Sequence, residues 1–278
     1  MQRSILAPAA FAFTVLAGPA AAQTLPQPEP PVPPLAPPPL QSQGLKMDGR
    51  WRGSGGAALA ATRGNSETSS ALLSFELARA TFNDKISFGG NLNQGRSRVE
   101  GEDKTTSDKW AVTGQYDHNL NPQQYTFVKL GFESDKLAQL DLRTTLALGT
   151  GYKLLDTKEN SFALLAGAAR SLDRYRSPVT IDGETTTRFA RTSLFVGEES
   201  QHQLTASTLF KQRLEFYPGV SGDRAKLVKL NAGLGVAINS SMNLTVGVTG
   251  TYNSNPPDGQ KRADAGLFTG VNVKLGAD

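Results

Sequence analysis

Hydrophobic and polar residues alternate with period two along residues 125–156. In the first part of this stretch, Val128 and Leu130 alternate with Lys129 and Gly131, and the second part alternates in the same way after a polar loop. Period two places successive side chains on opposite faces of a strand. About ten residues is also the length of a strand that crosses a bilayer at a tilt. The stretch therefore predicts two amphipathic strands joined by a loop.

The same alternation recurs after Gly44 and predicts an all-β chain. No segment shows a sustained helical period. Twelve strands are predicted, at residues 51–62, 70–80, 85–94, 109–118, 124–133, 142–154, 161–171, 188–198, 207–217, 226–238, 243–253 and 263–275.

Short and long connections alternate between the predicted strands. Even-numbered strands end in short turns, such as 119–123, whereas odd-numbered strands end in longer charged or Gly/Pro-rich loops, such as 95–108, 172–187, 218–225 and 254–262. Bacterial outer-membrane barrels have short periplasmic turns and longer outward loops. We therefore predict a closed antiparallel transmembrane β-barrel of twelve strands, with both termini on the periplasmic side.

The two faces of the predicted strands differ in chemistry. In the tenth strand, Val228 and Leu230 lie on one face, and Lys229 and Asn231 lie on the other. A lipid-facing exterior and a polar lumen fit this mixture. Aromatic residues occur near strand ends, where an interfacial girdle would lie: Tyr116, Phe132, Tyr152, Phe216 and Tyr252. A secreted soluble β-barrel that binds a small ligand, with these aromatic residues in its core, remains the alternative.

The N-terminal part of the chain has a different composition. Residues 1–22 combine Arg3, an apolar run and Ala20-Ala21-Ala22, which is typical of a secretory signal peptide. Residues 23–46 contain nine prolines and predict a disordered periplasmic linker. Residues 47–278 are assigned to the barrel, and the predicted location is the bacterial outer membrane.

The composition limits the possible chemistry. The chain has no cysteine, which excludes disulfides, cysteine-ligated metals and a lipoprotein anchor. Its net charge of +4 is made of interspersed acidic and basic residues, so no nucleic-acid partner is expected. Acidic residues in the second long loop could hold a hard cation, although a solvated charged loop is the simpler interpretation: Glu100, Glu102, Asp103 and Asp108. We predict no cofactor and no metal site.

No catalytic motif accompanies the strands. The sequence contains no G-x-S-x-G, P-loop or H-E-x-x-H motif. His118 and His202 both fall at short-turn ends without an adjoining nucleophile motif. We predict a protein that is not an enzyme, with an outer-membrane barrel hydrolase as the alternative.

A shift of 84 residues superposes part of the chain on itself. His118 falls on His202, and Lys129 falls on Arg213. Farther on, the glycines at 149 and 151 fall on those at 233 and 235. The shift carries predicted strands four to six onto strands eight to ten. A duplicated four-strand unit explains the match.

Charged residues at inward positions are the candidate functional groups. They are Lys129, Glu133, Arg143, Lys211, Arg213, Glu215 and Lys229. Such charges either line a narrow path for ions or small solutes or pair with each other and plug the lumen. Both signs are present, so no strong ion selectivity is expected.

Four segments resemble the YdiY-like family, which is described as salt-induced outer-membrane proteins. They are GNSETSS from Gly64, KLGFESDKLAQLDLRTTLALGTGYKLLDT from Lys129, QRLEFYPG from Gln212 and TYNSNPPDGQKRADAGLFTGV from Thr251. The resemblance spans residues 47–275 and implies an outer-membrane β-barrel of undetermined activity. It implies no catalytic or binding residue.

The expected partners follow from this location. They are outer-membrane lipid, the barrel-assembly machinery, and ions or small solutes. Barrels of this class usually end on an aromatic residue that is recognised during assembly, whereas the last predicted strand here ends on Leu275. The expected function is structural or that of a narrow channel.

Overall fold

A computed structural model of the chain describes residues 46–62, 66–99, 102–222, 224–258 and 260–276. The predicted signal peptide at 1–22 lies outside the described residues. So does the predicted linker at 23–46, apart from Lys46.

Twelve strands form the described part of the chain. They are β1 Trp51–Thr62, β2 Ser66–Ala80, β3 Asp84–Val99, β4 Glu102–Asn119, β5 Gln124–Asp135, β6 Leu140–Asp156, β7 Asn160–Ile181, β8 Glu184–Gln203, β9 Thr208–Gly222, β10 Lys226–Ala237, β11 Met242–Asn253 and β12 Ala263–Gly276. No helix in the described ranges is long and apolar enough to cross a membrane.

Each strand pairs antiparallel with its sequence neighbours, and β12 pairs with β1 to close the barrel. The predicted fold class, a closed antiparallel barrel of twelve strands, is confirmed. Short turns join β2 to β3, β4 to β5, β6 to β7, β8 to β9 and β10 to β11. We call the end of the barrel with these turns the turn end, and the opposite end the loop end.

Three of the predicted long loops are wrong. Much of the segments 95–108, 172–187 and 218–225 is strand, because β3, β7, β8 and β9 extend far beyond the predicted bounds. A backbone ladder needs no apolar face, so a polar hairpin can continue past the point where the alternation of apolar residues stops. The connection 254–262 is the one predicted long loop of the four that stays irregular in its described residues.

The outer surface of the barrel is apolar. Leu130, Leu148 and Val246 are 40%, 51% and 44% exposed, although such side chains are usually buried in soluble proteins. The five aromatic residues that the sequence places near strand ends are also exposed, at 37–44%. The barrel therefore presents an extended apolar surface to its surroundings.

One side of the lumen is packed with apolar side chains. A buried cluster comes from β5 to β10: Tyr125, Phe127, Ala147, Leu165, Ala169, Phe195, Tyr217 and Leu227. The ring of Phe195 lies 5.7 Å from that of Phe127, edge to face, and 5.0 Å from that of Tyr217. Tyr125 lies over Gly151, where an added Cβ would come within 2.1 Å of the tyrosine ring. This half of the lumen is filled.

The ladder between β1 and β12 is short. Among the described residues it contains six pairs, from Arg52↔Gly276 to Ala57↔Val271. Towards the loop end, the rest of β1 pairs only with β2, and the rest of β12 pairs only with β11. We call this partly unpaired junction the seam.

The pairing registers agree with the shift of 84 residues. His118 pairs with Thr126, and His202 pairs with Phe210. Farther along, Lys129 pairs with Ala147. Arg213, the counterpart of Lys129 after the shift, pairs with Asn231, the counterpart of Ala147. The two four-strand segments therefore share register as well as sequence features, as a duplication predicts.

Candidate functional site

The lumen contains all seven charged residues that the sequence singled out. Lys129 and Glu133 lie on β5, Arg143 on β6, Lys211, Arg213 and Glu215 on β9, and Lys229 on β10. Period two carries them to the inward face, because the alternate residues on the same strands are the exposed apolar ones. The structure brings six of them together and leaves Lys211 apart, nearer to the turn end.

Glu215 is the centre of one set of contacts. Its carboxylate accepts hydrogen bonds from Lys129 Nζ at 2.8 Å, Arg213 Nε at 2.7 Å and the Tyr217 hydroxyl at 2.9 Å. Arg213 also forms an ion pair with Glu199. Because Lys129 is on β5 and Glu215 is on β9, this contact crosses the lumen.

Glu133 is the centre of a second set. It accepts hydrogen bonds from Arg143 Nη1 at 2.8 Å and from Lys229 Nζ at 3.1 Å. Arg143 also donates to both oxygens of Asp173, at 2.6 and 2.5 Å. Strands β5 and β10 face each other across a twelve-stranded barrel, so the contact between Glu133 and Lys229 joins opposite walls.

These charges compensate each other within the lumen. Lys129, Arg213 and Glu215 are 9%, 4% and 2% exposed, so each has lost most of its water. A buried charge requires a partner and further hydrogen bonds, and loss of one partner leaves the other uncompensated. The two sets therefore behave as ties that hold facing walls of the barrel together.

Sequence reasoning missed several lumen residues. Asp173, Glu199 and Tyr217 belong to the two sets, and Lys109 forms a further ion pair with Asp135 at 2.9 Å. Asp173 and Glu199 lie just beyond the predicted ends of their strands. Continuing the period-two alternation by one or two residues would have placed both of them in the lumen.

A cavity of about 220 Å³ lies between the two sets and the loop end. We call it the outer chamber. Its wall includes Arg191, Thr251 and Asp264 in addition to the paired charges. Pro256 and Pro257, from the loop between β11 and β12, also line the outer chamber.

That loop reaches across the mouth of the barrel. Gln260 Nε2 donates to the carbonyl oxygen of Ala138 at 3.0 Å, and the Asp258 backbone N–H donates to the carbonyl oxygen of Thr180 at 3.1 Å. Ala138 lies between β5 and β6, on the wall opposite β11 and β12. The described residues of the loop thus cover the outer chamber.

A second cavity, of about 140 Å³, lies nearer to the turn end, and we call it the inner chamber. Ser54, Ser74, Lys211, Gly235 and Asn272 are among the residues that line it. Small and polar side chains therefore leave space on the side of the lumen opposite the apolar cluster.

A single layer of inward residues separates the two chambers along β10 and β11. On β11, Thr245 lines the inner chamber and Thr249 lines the outer one, with Gly247 between them. The Phe268 ring leans over Gly247, where an added Cβ would come within 2.4 Å of it. On β10, Asn231 is 2% exposed and lies between Lys229, which lines the outer chamber, and Gly233, which lines the inner one.

The histidines and the acidic loop do not join the lumen groups. His118 is exposed on the outer surface, and His202 Nδ1 lies 3.0 Å from Asn160 Oδ1 with its ring stacked on Phe210. Asp108 forms an ion pair with Lys136, and Glu100 lies outside the described residues. Within the described ranges, no three acidic or histidine side chains are grouped as metal ligands would be.

Comparison with known proteins gives a family match. Residues 55–275 match the family described as "Protein of unknown function, DUF481". Uncharacterized protein YdiY from Escherichia coli (strain K12) is 28% identical over 164 residues, which are 58% of this chain and 60% of that protein.

Two solved structures are similar to the barrel. The translocator domain of autotransporter NalP from Neisseria meningitidis has a TM-score of 0.46 and 10% identity, covering 85% of this chain and 92% of that one. The COG4313 outer membrane channel from Pseudomonas putida F1 has a TM-score of 0.48 and 12% identity, covering 86% and 99%.

Proposed function

Because the chain belongs to the DUF481 family of proteins of unknown function, we propose its function from the geometry of the barrel: it is an outer-membrane protein with a narrow channel for ions or small solutes. One observation carries the proposal. Two chambers whose walls carry charged, hydroxyl and amide groups are stacked along β10 and β11, and a single residue layer separates them.

The outer surface supports a position in a membrane. Phe132 pairs with Thr144 at one end of the apolar surface, and Tyr152 lies near the other end of the same strand, β6. The segment 144–152 spans about 26 Å at about 3.3 Å per residue. A tilt of about 40° reduces this span to about 20 Å, close to the apolar band of ~25 Å in outer-membrane barrels.

The inner surface supports a path for polar solutes. Thr245, Thr249, Asn231 and Asn243 place hydroxyl and amide groups along one wall of the lumen. Such groups can replace part of the hydration shell of a passing ion. The paired charges on β5, β6, β9 and β10 already neutralise each other, so they offer no strong preference for an ion of one sign.

Conductance across planar bilayers tests the channel directly. We expect small, discrete currents from the purified full-length protein, and larger ones from Phe268→Ala, because this change removes the ring that narrows the layer at Gly247. Phe88→Ala is the matched control, since Phe88 lies on the outer surface and is 44% exposed. A complete absence of current from both the natural protein and Phe268→Ala would overturn the proposal.

A structural role is the second candidate, and the cross-lumen ties favour it. The contacts of Glu215 and Glu133, together with the apolar cluster, fill the lumen from β5 to β10. A barrel whose role is purely structural would fold and insert without conducting. The same bilayer experiment separates the two candidates.

A further inference from the structure

The seam is open towards the loop end of the barrel. The ladder stops at Ala57↔Val271, and a Cβ added to Gly270 would still lie 3.1 Å from the Ala57 carbonyl oxygen. Beyond this point the described residues of β1 pair only with β2, and those of β12 pair only with β11. The two strands therefore separate immediately after Gly270.

Exposure shows the separation independently of the pairing. Leu59 on β1 is 84% exposed and Leu267 on β12 is 70% exposed. Outward leucines that are paired on both sides, such as Leu130, Leu148 and Leu172, are 40%, 51% and 53% exposed. The extra exposure is located on the two strand segments that lack a partner at the seam.

Apolar side chains lie directly behind the opening. Ala58 pairs with Leu72 on the inward face, and both line the inner chamber. Phe268 lines the same chamber from the β12 side. Leu209, on β9, is a further apolar lining residue, whereas Ser54 is polar. Apolar side chains from β1, β2 and β12 therefore line the part of the chamber next to the seam.

An open edge in a bilayer needs an occupant. Unpaired backbone N–H and C=O groups are costly in hydrocarbon unless they meet water or another polar group. Behind the seam the inner chamber is lined by the apolar side chains of Ala58, Leu72 and Phe268, and the unpaired edges of β1 and β12 supply polar backbone groups beside them. A molecule with one apolar part and one polar part fits both environments.

We propose that the seam is a lateral portal, through which an acyl chain of a membrane lipid enters the inner chamber while its polar group stays at the unpaired strand edges. The inference goes beyond the channel, although it rests on the proposed position of the barrel in a bilayer. A portal of this kind gives the lumen two entrances, one through the mouth and one from the membrane.

Fluorescence quenching by lipid tests the portal. Trp51 and Trp110 are first replaced by phenylalanine, and a single tryptophan is then introduced by Phe268→Trp, with Leu72→Trp as a second reporter. The full chain is reconstituted in phosphatidylcholine vesicles whose acyl chains carry bromine. We expect bromolipid to cause a marked loss of fluorescence at both reporters.

Two matched controls define the scale. Leu267→Trp reports the lipid-facing surface, and Phe195→Trp reports an inward position away from the seam, where the native side chain is 1% exposed. Portal entry predicts quenching of Phe268→Trp close to that of Leu267→Trp and well above that of Phe195→Trp. If Phe268→Trp is quenched no more than Phe195→Trp, the portal proposal is overturned. The same low quenching is expected if an added peptide strand, rather than a lipid chain, occupies the seam.

The same controls separate this inference from the proposed function. If Leu267→Trp is not quenched, the barrel does not lie in the bilayer, and the proposed channel fails as well. If Leu267→Trp is quenched and Phe268→Trp is not, only the portal fails.

A disulfide across the seam supplies the final test. Because the chain has no cysteine, Leu59→Cys with Thr269→Cys introduces a single pair at the position where the register of β1 and β12 would continue. If oxidation closes the seam, quenching of Phe268→Trp should fall to the level of Phe195→Trp and return on reduction. Quenching that persists in the oxidised protein would show that the lipid chain enters elsewhere.

Discussion

Glu215 illustrates how single residues hold the barrel together. It is 2% exposed and accepts hydrogen bonds from a lysine, an arginine and a tyrosine, and the lysine belongs to a distant strand. The apolar cluster lies on one side of these contacts, and the outer chamber lies on the other. The stability of the fold therefore depends on charges that an ordinary soluble core would not contain.

Replacing Glu215 by glutamine should destabilise the barrel. Glu215→Gln leaves Lys129 buried without a compensating charge, and loss of one partner of a buried ion pair typically costs about 3–5 kcal/mol. Urea unfolding in detergent, followed by circular dichroism, measures the change. Glu159→Gln makes the same substitution in an exposed turn and should be nearly neutral. Equal midpoints for the two variants would refute the role of Glu215 as a tie.

Lys211 should influence which ions pass. It lines the inner chamber and has no hydrogen-bond or ion-pair partner among the described residues, in contrast to Arg213. Lys211→Glu should therefore shift the reversal potential in a salt gradient towards cation preference. Lys158→Glu makes the same change of charge in an exposed turn and should not shift the reversal potential. An unchanged reversal potential for Lys211→Glu would show that this side chain does not line the ion path.

At the scale of elements, the loop between β11 and β12 controls access to the outer chamber. Its described residues extend from one wall to the other and bond to the connection between β5 and β6 and to the β7–β8 hairpin. Only a few hydrogen bonds hold it at the far wall, so opening it does not require disruption of the barrel ladder.

A cross-link at the far wall should hold this loop over the mouth. Ala138→Cys with Gln260→Cys replaces the hydrogen bond between these residues by a disulfide in a chain that otherwise lacks cysteine. We expect oxidation to lower conductance and reduction to restore it. Each single-cysteine variant serves as a control and should not respond to the reductant. Full conductance in the oxidised double variant would show that solutes do not pass beneath this loop.

The bounds of a strand were predictable where the alternation of apolar and polar residues extends along the whole strand. β1 begins and ends at its predicted residues, since both ends coincide with a change in pattern. β7 was predicted to end at residue 171 but continues to Ile181, because its residues beyond the apolar outer surface still pair with β8. Sequence periodicity reports the environment of a strand more reliably than its length.

The candidate site was predictable only in part, for a different reason. The period-two alternation predicted that Lys129, Glu133 and Glu215 face the lumen. No local sequence pattern, however, shows which charged side chains contact each other across the lumen. Those pairings depend on shear and register around the whole barrel. The loop contact between Gln260 and Ala138 and the short seam also depend on the closed structure and have no sequence signal.

For the whole molecule, closure of twelve strands predicts unusual resistance to detergent. A closed ladder leaves few edges for detergent to attack, so the barrel should stay folded in sodium dodecyl sulfate at room temperature. We expect an unheated sample to migrate differently in gels from a boiled one. Identical migration of the two samples would be inconsistent with a closed membrane barrel.

The short ladder between β1 and β12 also has a kinetic meaning. It joins strands from opposite ends of the barrel sequence, so its formation carries the largest loop-closure entropy of any ladder in the fold. Six pairs must hold it, whereas β7 and β8 share far more. We therefore expect it to form last during folding and to break first during unfolding. Opening of this ladder would then set the lifetime of the folded barrel, and amide deuterium exchange in residues 271–276 would report it.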